Sequence, residues 1–265
     1  MASPRSSVVT SRLEKAAADN GFDRELASSG DWLGFASTLC PLTVVLGTDA
    51  GGGFLLGVSQ RSVAEALGHL GLPEATALPP GAIAGWLVAD IPALHRLLRR
   101  AFQLSRSLPD ELLNVFQART AKLPRTTEVE RLVIQRVGQD IFREGLLEFW
   151  EGRCAITGLA VPELLRASHI KPWADCATDA ERLDVYNGLL FAPHLDAAFD
   201  QGFITISETG EVMVSSQLDE SARRVLGLGT LAALRQQVAG HQCYLGWHRE
   251  RVFRREWPPG RTAAT

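Results

Sequence analysis

The chain has 265 residues, of which 46% are hydrophobic and 22% are charged. This composition excludes wholesale disorder and is enough for one large domain or two small ones, each with its own core. There is no run of about eighteen apolar residues and no apolar core of a secretory signal at the N-terminus, so we expect a cytoplasmic protein without a membrane span. The net charge of −3 does not favour nucleic-acid binding, although locally clustered arginines can still contact phosphates.

Four cysteines are spread along the chain, and none forms a C-x-x-C pair: Cys40, Cys154, Cys176 and Cys243. A structural zinc site usually takes its four ligands as close pairs, so we expect no structural zinc. Scattered thiols in a cytoplasmic protein are typically reduced and buried, and we interpret the four cysteines in this way.

The first 118 residues predict a small α+β unit. Helical spacing runs through residues 11–39 with a break at 28–31, and Asp31 is placed to cap a helix that begins at Trp32. Residues 42–46 and 54–58 have the composition of short strands, with a glycine turn at 51–53 between them. Residues 61–70 and 91–104 predict helices, and the second is strongly amphipathic.

The remaining chain begins with helices and then changes pattern. Residues 109–123 predict a short helix, and Pro124 with Thr127 indicates a linker followed by a helix cap. The apolar spacing at 128–150 predicts a long helix, with Gly138 and Gly145 as the points at which it can break into two. We therefore predict an α+β protein with an N-terminal domain at 1–118 and a second domain at 119–265 that opens with a helical lead-in.

After residue 152 the predicted elements are short. Residues 154–158 indicate a strand end and a turn, 164–170 a strand, and 172–184 a polar loop. Pro193 suits the first position of a helix at 193–200. Residues 203–206 and 211–215 flank a plausible hairpin turn.

Three of these segments, at 167–170, 187–190 and 193–200, together carry residue types suited to phosphodiester hydrolysis. A strand, a strand-like segment and a helix in this order can bring His169, at a strand end, over the N-terminus of the helix. A histidine of near-neutral pKa can take a proton from water, and an asparagine side-chain carbonyl can orient that histidine. A divalent cation can neutralise the scissile phosphate and the departing oxygen.

The stretches CAITGLAVPELLRASHIKPWADC and RLDVYNGLLFAPHLDAAFDQGFI resemble the HNH endonuclease family, in particular the subgroup related to modification-dependent restriction enzymes. The resemblance runs from about Arg125 to the end of the chain. It implies a ββα-metal nuclease fold, a divalent cation such as Mg²⁺ or Mn²⁺, and double-stranded DNA as the substrate. It also implies that the DNA can be modified, and that the protein can act as a homodimer with one site for each strand.

The same resemblance implies roles for individual residues. His169 would be the general base that activates water, and Asn187 would hold His169 in orientation. On the helix, His194 and Asp196 are both candidates for the catalytic and metal-binding position, with Asp196 the favoured ligand. Many relatives carry aspartate or histidine directly before the first histidine; this chain has Ser168, so water or Asp200 would complete the coordination.

Several basic residues are candidates for contact with the DNA backbone, with a solvated surface as the alternative: Arg166, Lys171, Arg136, Arg143, Arg96, Arg99 and Arg100. The last three belong to the basic helix of the N-terminal part, which we predict to be the specificity domain. Two other functions stay open at this point: a DNA-binding protein with an impaired nuclease site, and an RNase or toxin.

Overall fold

The computed structural model describes residues 6–75, 77–124, 126–230, 233–236 and 239–255, and it divides into two compact units between Leu108 and Pro109. Both units combine helices with antiparallel sheets, so the predicted α+β class is confirmed. Within the described residues, no helix has the length and apolar character needed to cross a membrane.

The first unit is an antiparallel sheet of five strands in sequential order, with helices packed on it. Its elements are α1 (Ser7–Asp19), β1 (Arg24–Ser29), β2 (Trp32–Ala36), β3 (Thr43–Thr48), β4 (Phe54–Val58), α2 (Arg61–Gly68), β5 (Ala84–Val88) and α3 (Ile91–Ser107). The register pairs Val44 with Val58 and Leu46 with Leu56, which puts these four buried side chains on one face of the sheet. The core lies between that face and the helices.

The prediction of a mainly helical segment over residues 11–39 is wrong after Asp19. The chain forms the hairpin of β1 and β2, and Asp31 lies in its turn instead of capping a helix. Gly30 takes a φ of 58°, which allows the reversal. Every residue of β1 is exposed, so this edge strand shows no apolar alternation, and its pairing with β2 determines its structure.

The second unit begins with two helices and continues into short strands. Its elements are α4 (Pro109–Thr120), α5 (Glu128–Phe149), β6 (Arg166–His169), α6 (Asp179–Leu183), β7 (Gly188–Phe191), α7 (Pro193–Asp200), β8 (Ile204–Ile206), β9 (Val212–Val214), α8 (Glu220–Val225) and α9 (His241–Arg251). The structural division lies before α4, ahead of the predicted boundary at 118/119, because α4 packs against α5 and α6. Arg125, in the predicted linker, lies outside the described residues.

Helix α5 is continuous, so the predicted break at Gly138 or Gly145 is wrong. The helix begins with a capping box in which the Thr127 side chain accepts from the Glu130 N–H and the Glu130 carboxylate accepts from the Thr127 N–H. A side chain at Gly138 would overlap the Trp173 ring, and one at Gly145 would overlap Leu112. Both glycines therefore serve close packing and do not break the helix.

Three further sequence predictions need correction. Residues 154–158 form a turn only, without a strand, and the predicted loop at 172–184 contains α6. All four cysteines are free thiols, and Cys243 is exposed instead of buried. Cys154 has a packing role, because its Sγ accepts from the backbone N–H groups of Thr157 and Ala192 at 3.4 Å each.

Candidate active site

A cleft of about 650 Å³ opens in the second unit. Its walls come from α5, β6, the turn that follows β6, α7 and α9. The cleft gathers His169, Ser168, Asp196 and Asp200, which are four of the candidate residues identified in the sequence.

The pairing of β6 with β7 places the predicted histidine. His169 is the last residue of β6 and pairs with Gly188, directly after Asn187. Helix α7 begins with Pro193 and buries Leu195 and Phe199, so Asp196 and Asp200 are left one turn apart on the side that lines the cleft. The predicted order of strand, strand and helix is therefore present.

The His169 side chain is held from three directions. Its ring stacks on Phe142 with the centroids 3.8 Å apart and meets Trp173 edge-on at 5.6 Å. Its Nε2 lies 2.9 Å from the carbonyl oxygen of Arg182. A carbonyl oxygen can only accept, so Nε2 carries the proton and Nδ1 keeps a free lone pair. Burial lowers the pKa of His169 to about 4, against a weaker opposing effect of the Arg182 carbonyl.

Asn187 does not take the predicted position beside His169. Its fully buried amide is bonded to the loop between β6 and β7: Oδ1 accepts from the Lys171 N–H at 2.8 Å, and Nδ2 donates to the carbonyls of Lys171 and Glu181 at 3.2 and 3.0 Å. Nδ2 also lies 3.3 Å from the Sγ of Cys176. Asn187 therefore fastens the loop whose Arg182 carbonyl is bonded to His169 Nε2.

Arg182 contacts the candidate site through its backbone carbonyl, and the sequence analysis missed it. Its guanidinium donates to the carbonyls of Trp173 and Cys176, at 3.3 and 2.7 Å, and to the carboxylate of Asp179 at 2.9 Å. These bonds close the loop on itself, in addition to those of Asn187. No motif marks a residue that acts through its backbone carbonyl, so only the fold identifies it.

Two carboxylates face the cleft from α7. Burial raises the pKa of Asp196, while Ser168 and Arg166 oppose the rise. Although Asp200 is exposed as a whole residue, its carboxyl group lies in the cleft; there, burial and the negative charge of Asp196 raise its pKa. The buried Ser168 hydroxyl donates to Asp200 Oδ1 at 3.2 Å, and its hydrogen-bonding capacity also acts to lower the pKa of Asp196. The predicted pair of Asp196 and Asp200 is thus brought to one cleft, with Ser168 bonded to Asp200.

His194 is not brought to this site. It is exposed near the start of α7 and does not line the cleft. Two residues before Asp196 on a helix, it projects from a different side. In the described part of the chain, no group of three or more histidine, cysteine, aspartate or glutamate side chains is arranged to hold a metal ion.

The basic candidates of the second unit have different surroundings. Arg166 is exposed and lines the cleft, as the prediction of phosphate contact requires. Arg143 also lines the cleft, but its guanidinium donates to the carbonyls of Leu165 and Pro162 at 2.7 and 2.9 Å and so fastens the start of β6. Lys171 forms an ion pair with Glu181 at 3.0 Å. Arg136 is exposed but lies outside the cleft lining.

The three arginines of α3 do not form a single basic face. Arg96 and Arg99 are exposed, and Arg99 Nε donates to Asn20 Oδ1 at 3.4 Å. Arg100 is only 7% exposed and lies on the buried side of the helix. The predicted DNA contact of Arg100 therefore conflicts with its burial.

The segment that carries the cleft residues of β6 and α7 is similar to known nucleases. Residues 154–207 match the family model of the HNH endonucleases, which confirms over this segment the resemblance seen in the sequence. A search of curated proteins gives no match. Among solved structures, a modification-dependent TagI restriction endonuclease is similar with 17% identity and a TM-score of 0.30. The similarity covers 41% of this chain and 36% of that one, so the chain spans well under half of that protein.

Proposed function

We propose that the protein is a metal-dependent endonuclease that hydrolyses phosphodiester bonds of double-stranded DNA. The observation that carries the proposal is the cleft in which His169, neutral and with an available Nδ1, shares the lining with the two carboxylates of α7. His169, Asp196 and Asp200 all lie within the segment that matches the HNH endonuclease family.

The acidic pair fits a divalent cation. Asp196 and Asp200 line the same cleft although the negative charge of Asp196 disfavours ionisation of Asp200, and Arg166 is the positive side chain that lowers the pKa of Asp196. Mg²⁺ and Mn²⁺ prefer oxygen ligands, and Mg²⁺ is often bound by one or two carboxylates with water and substrate phosphates. Asp196 and Asp200 would hold the ion, with the Ser168 hydroxyl fixing Asp200. When bound, the cation supplies neutralisation of the scissile phosphate and of the departing oxygen.

The residues of the chain account for the proton transfer. Because His169 is neutral at pH 7, its Nδ1 can accept a proton from the attacking water while Nε2 stays bonded to the Arg182 carbonyl. Phe142 and Trp173 restrict the ring to one orientation, which saves entropy in the transition state. Arg166 would hold a phosphate of the DNA backbone at the same cleft.

The biological role that we propose is restriction of modified or foreign DNA in the cytoplasm, with the first unit as the recognition domain. We base this role on the resemblance of the nuclease segment and not on a recognised fold in the first unit. A homodimer would supply one nuclease site for each strand of the duplex.

Plasmid cleavage tests the proposal. Wild-type protein is incubated with supercoiled plasmid in Mg²⁺, Mn²⁺ or EDTA and compared with His169→Asn and with His194→Asn, a matched histidine variant outside the cleft. We expect cutting by the wild type and by His194→Asn in metal, and none by His169→Asn or in EDTA. Matched plain and modified plasmids test the restriction role. Absence of cutting by the wild type on every DNA contradicts the nuclease proposal, and preferential cutting of RNA favours an RNase instead.

A further inference from the structure

The catalytic site extends beyond the segment that matches the HNH family. We infer that Phe142, on helix α5, is a positioning residue that holds the His169 imidazole in its reactive orientation. The inference rests on the proposed function and adds to it an element of the chain upstream of residue 154.

The contact is a parallel stack. The Phe142 and His169 rings are 3.8 Å apart with an angle of 14° between their planes, and Phe142 is 1% exposed. The Phe142 ring therefore covers one face of the imidazole, and rotation about the Cβ–Cγ bond of His169 would drive the imidazole into Phe142. The Arg182 carbonyl fixes one edge of the ring, and the stack fixes its plane.

The glycine opposite His169 makes room for the stack. Gly188 pairs with His169 between β6 and β7, and a Cβ at Gly188 would lie 2.5 Å from Phe142 Cζ and 2.8 Å from a Leu146 methyl carbon. Such distances are below any van der Waals contact, so a side chain at Gly188 would displace the Phe142 ring. The glycine that follows Asn187 in the motif is thus explained by the aromatic ring that α5 inserts beneath His169.

A second glycine, in α5 itself, makes room for the other aromatic contact of His169. Gly138, one turn before Phe142, leaves the space into which the Trp173 ring fits, and Trp173 meets His169 edge-on. Helix α5 therefore supplies one aromatic contact to His169 and admits the other. The β6–β7 loop therefore packs against α5.

The same helix offers a matched control. Phe149 lies seven residues after Phe142, is also fully buried, and packs against Trp150, Tyr186 and His241. The substitutions Phe142→Leu and Phe149→Leu remove the same ring from similar surroundings. A loss of activity that only reflects weaker packing of α5 would appear in both variants.

Steady-state cleavage of a short labelled duplex in Mn²⁺ gives the first measurement. We expect Phe142→Leu to lower kcat by about 10- to 100-fold with KM nearly unchanged, because misplacement by a fraction of an ångström to one ångström has effects of that order. Phe149→Leu should stay within about twofold of the wild type once both are assayed well below their unfolding temperatures. Gly188→Ala should resemble Phe142→Leu, because it moves the ring without removing it.

A second measurement does not depend on activity. The protein is labelled with ¹⁵N-histidine for NMR, and the His169 signals are assigned by their loss in His169→Asn. These signals should show the Nε2–H tautomer, and the stacked Phe142 ring should move the His169 proton shifts upfield. Phe142→Leu should remove the upfield shift and mix the tautomers, whereas Phe149→Leu should leave both unchanged. Equal kcat for the two leucine variants, or unchanged His169 signals in Phe142→Leu, would overturn the inference. Absence of cleavage by the wild type with the expected His169 signals would contradict the proposed function alone.

Discussion

Replacement of Asn187 by alanine separates two roles for the motif asparagine. A residue that orients His169 directly would lower the cleavage rate with little effect on stability. In the structure the Asn187 amide contacts the loop at Lys171, Cys176 and Glu181 and not His169. Asn187→Ala should therefore lower stability and activity together, since the loop carries the carbonyl that holds His169 Nε2.

The size of the effect follows from the bonds that are lost. The side chain is fully buried, so its backbone partners cannot turn to bulk water without local opening of the loop. Each hydrogen bond contributes about 1 kcal/mol net, so the loss of the Lys171 and Glu181 contacts amounts to about 3 kcal/mol. For a unit of this size that corresponds to a Tm lower by about 6–12 °C. The Lys171 amide, which loses its acceptor, should exchange with deuterium faster by about two orders of magnitude if local opening costs about 3 kcal/mol less.

Three measurements make the comparison: thermal unfolding, hydrogen exchange at the Lys171 amide, and plasmid cleavage well below the new Tm. His169→Asn is the control, because it should abolish cleavage while the Lys171 amide stays protected. If Asn187→Ala keeps the wild-type Tm and Lys171 protection but loses cleavage, the amide acts at the reacting atoms and our account of the loop is wrong. Wild-type cleavage at a lowered Tm would refute the link between the loop and His169.

Other changes have equally direct outcomes. Asp200→Asn should raise the Tm in EDTA, because it removes the repulsion with Asp196. At a Mn²⁺ concentration near 100 Kd, the ion should raise the free energy of unfolding of the wild type by about 2–3 kcal/mol, and Asp200→Asn should abolish this increase. Equal wild-type stability in EDTA and Mn²⁺ would exclude this metal site. Burial lowers the pKa of His248 from 6.5 to about 4, so the unfolded chain binds its proton more readily and stability should fall as the pH drops from about 6.5 to 4, by up to about 3 kcal/mol for this group. In urea titrations at several pH values, His248→Gln should reduce that slope, and an unchanged slope would show that His248 titrates normally. Arg166→Ala should weaken DNA binding about equally for all sequences and reduce the salt dependence of binding by about one counterion. Arg143→Ala should instead lower the Tm and leave the salt dependence of binding unchanged. The reverse pattern in a fluorescence-anisotropy titration would exchange the roles of the two arginines.

The sequence predicted those elements whose local signals agree with their surroundings. Helix α7 begins at Pro193 and ends at Asp200 as predicted, and β4 and the β8–β9 hairpin also lie where the pattern indicated. In each case the apolar spacing and the turn residues specify the same structure as the tertiary contacts. The hairpin of β1 and β2 was missed because β1 is an exposed edge strand whose pairing partner, and not its own periodicity, determines its conformation.

The candidate site divides in the same way. By itself, the sequence determined the identity of the chemical groups, namely the histidine at a strand end and the acids one turn apart on the following helix, because their types and spacing are required by the chemistry. Only the tertiary structure decided which groups touch. It removed His194 from the cleft, moved Asn187 from the histidine to the loop, and brought the Arg182 carbonyl and the Phe142 ring to His169. The physical reason is that backbone carbonyls and stacked rings act through position in three dimensions, and a position of this kind leaves no mark in the spacing of residues along one chain.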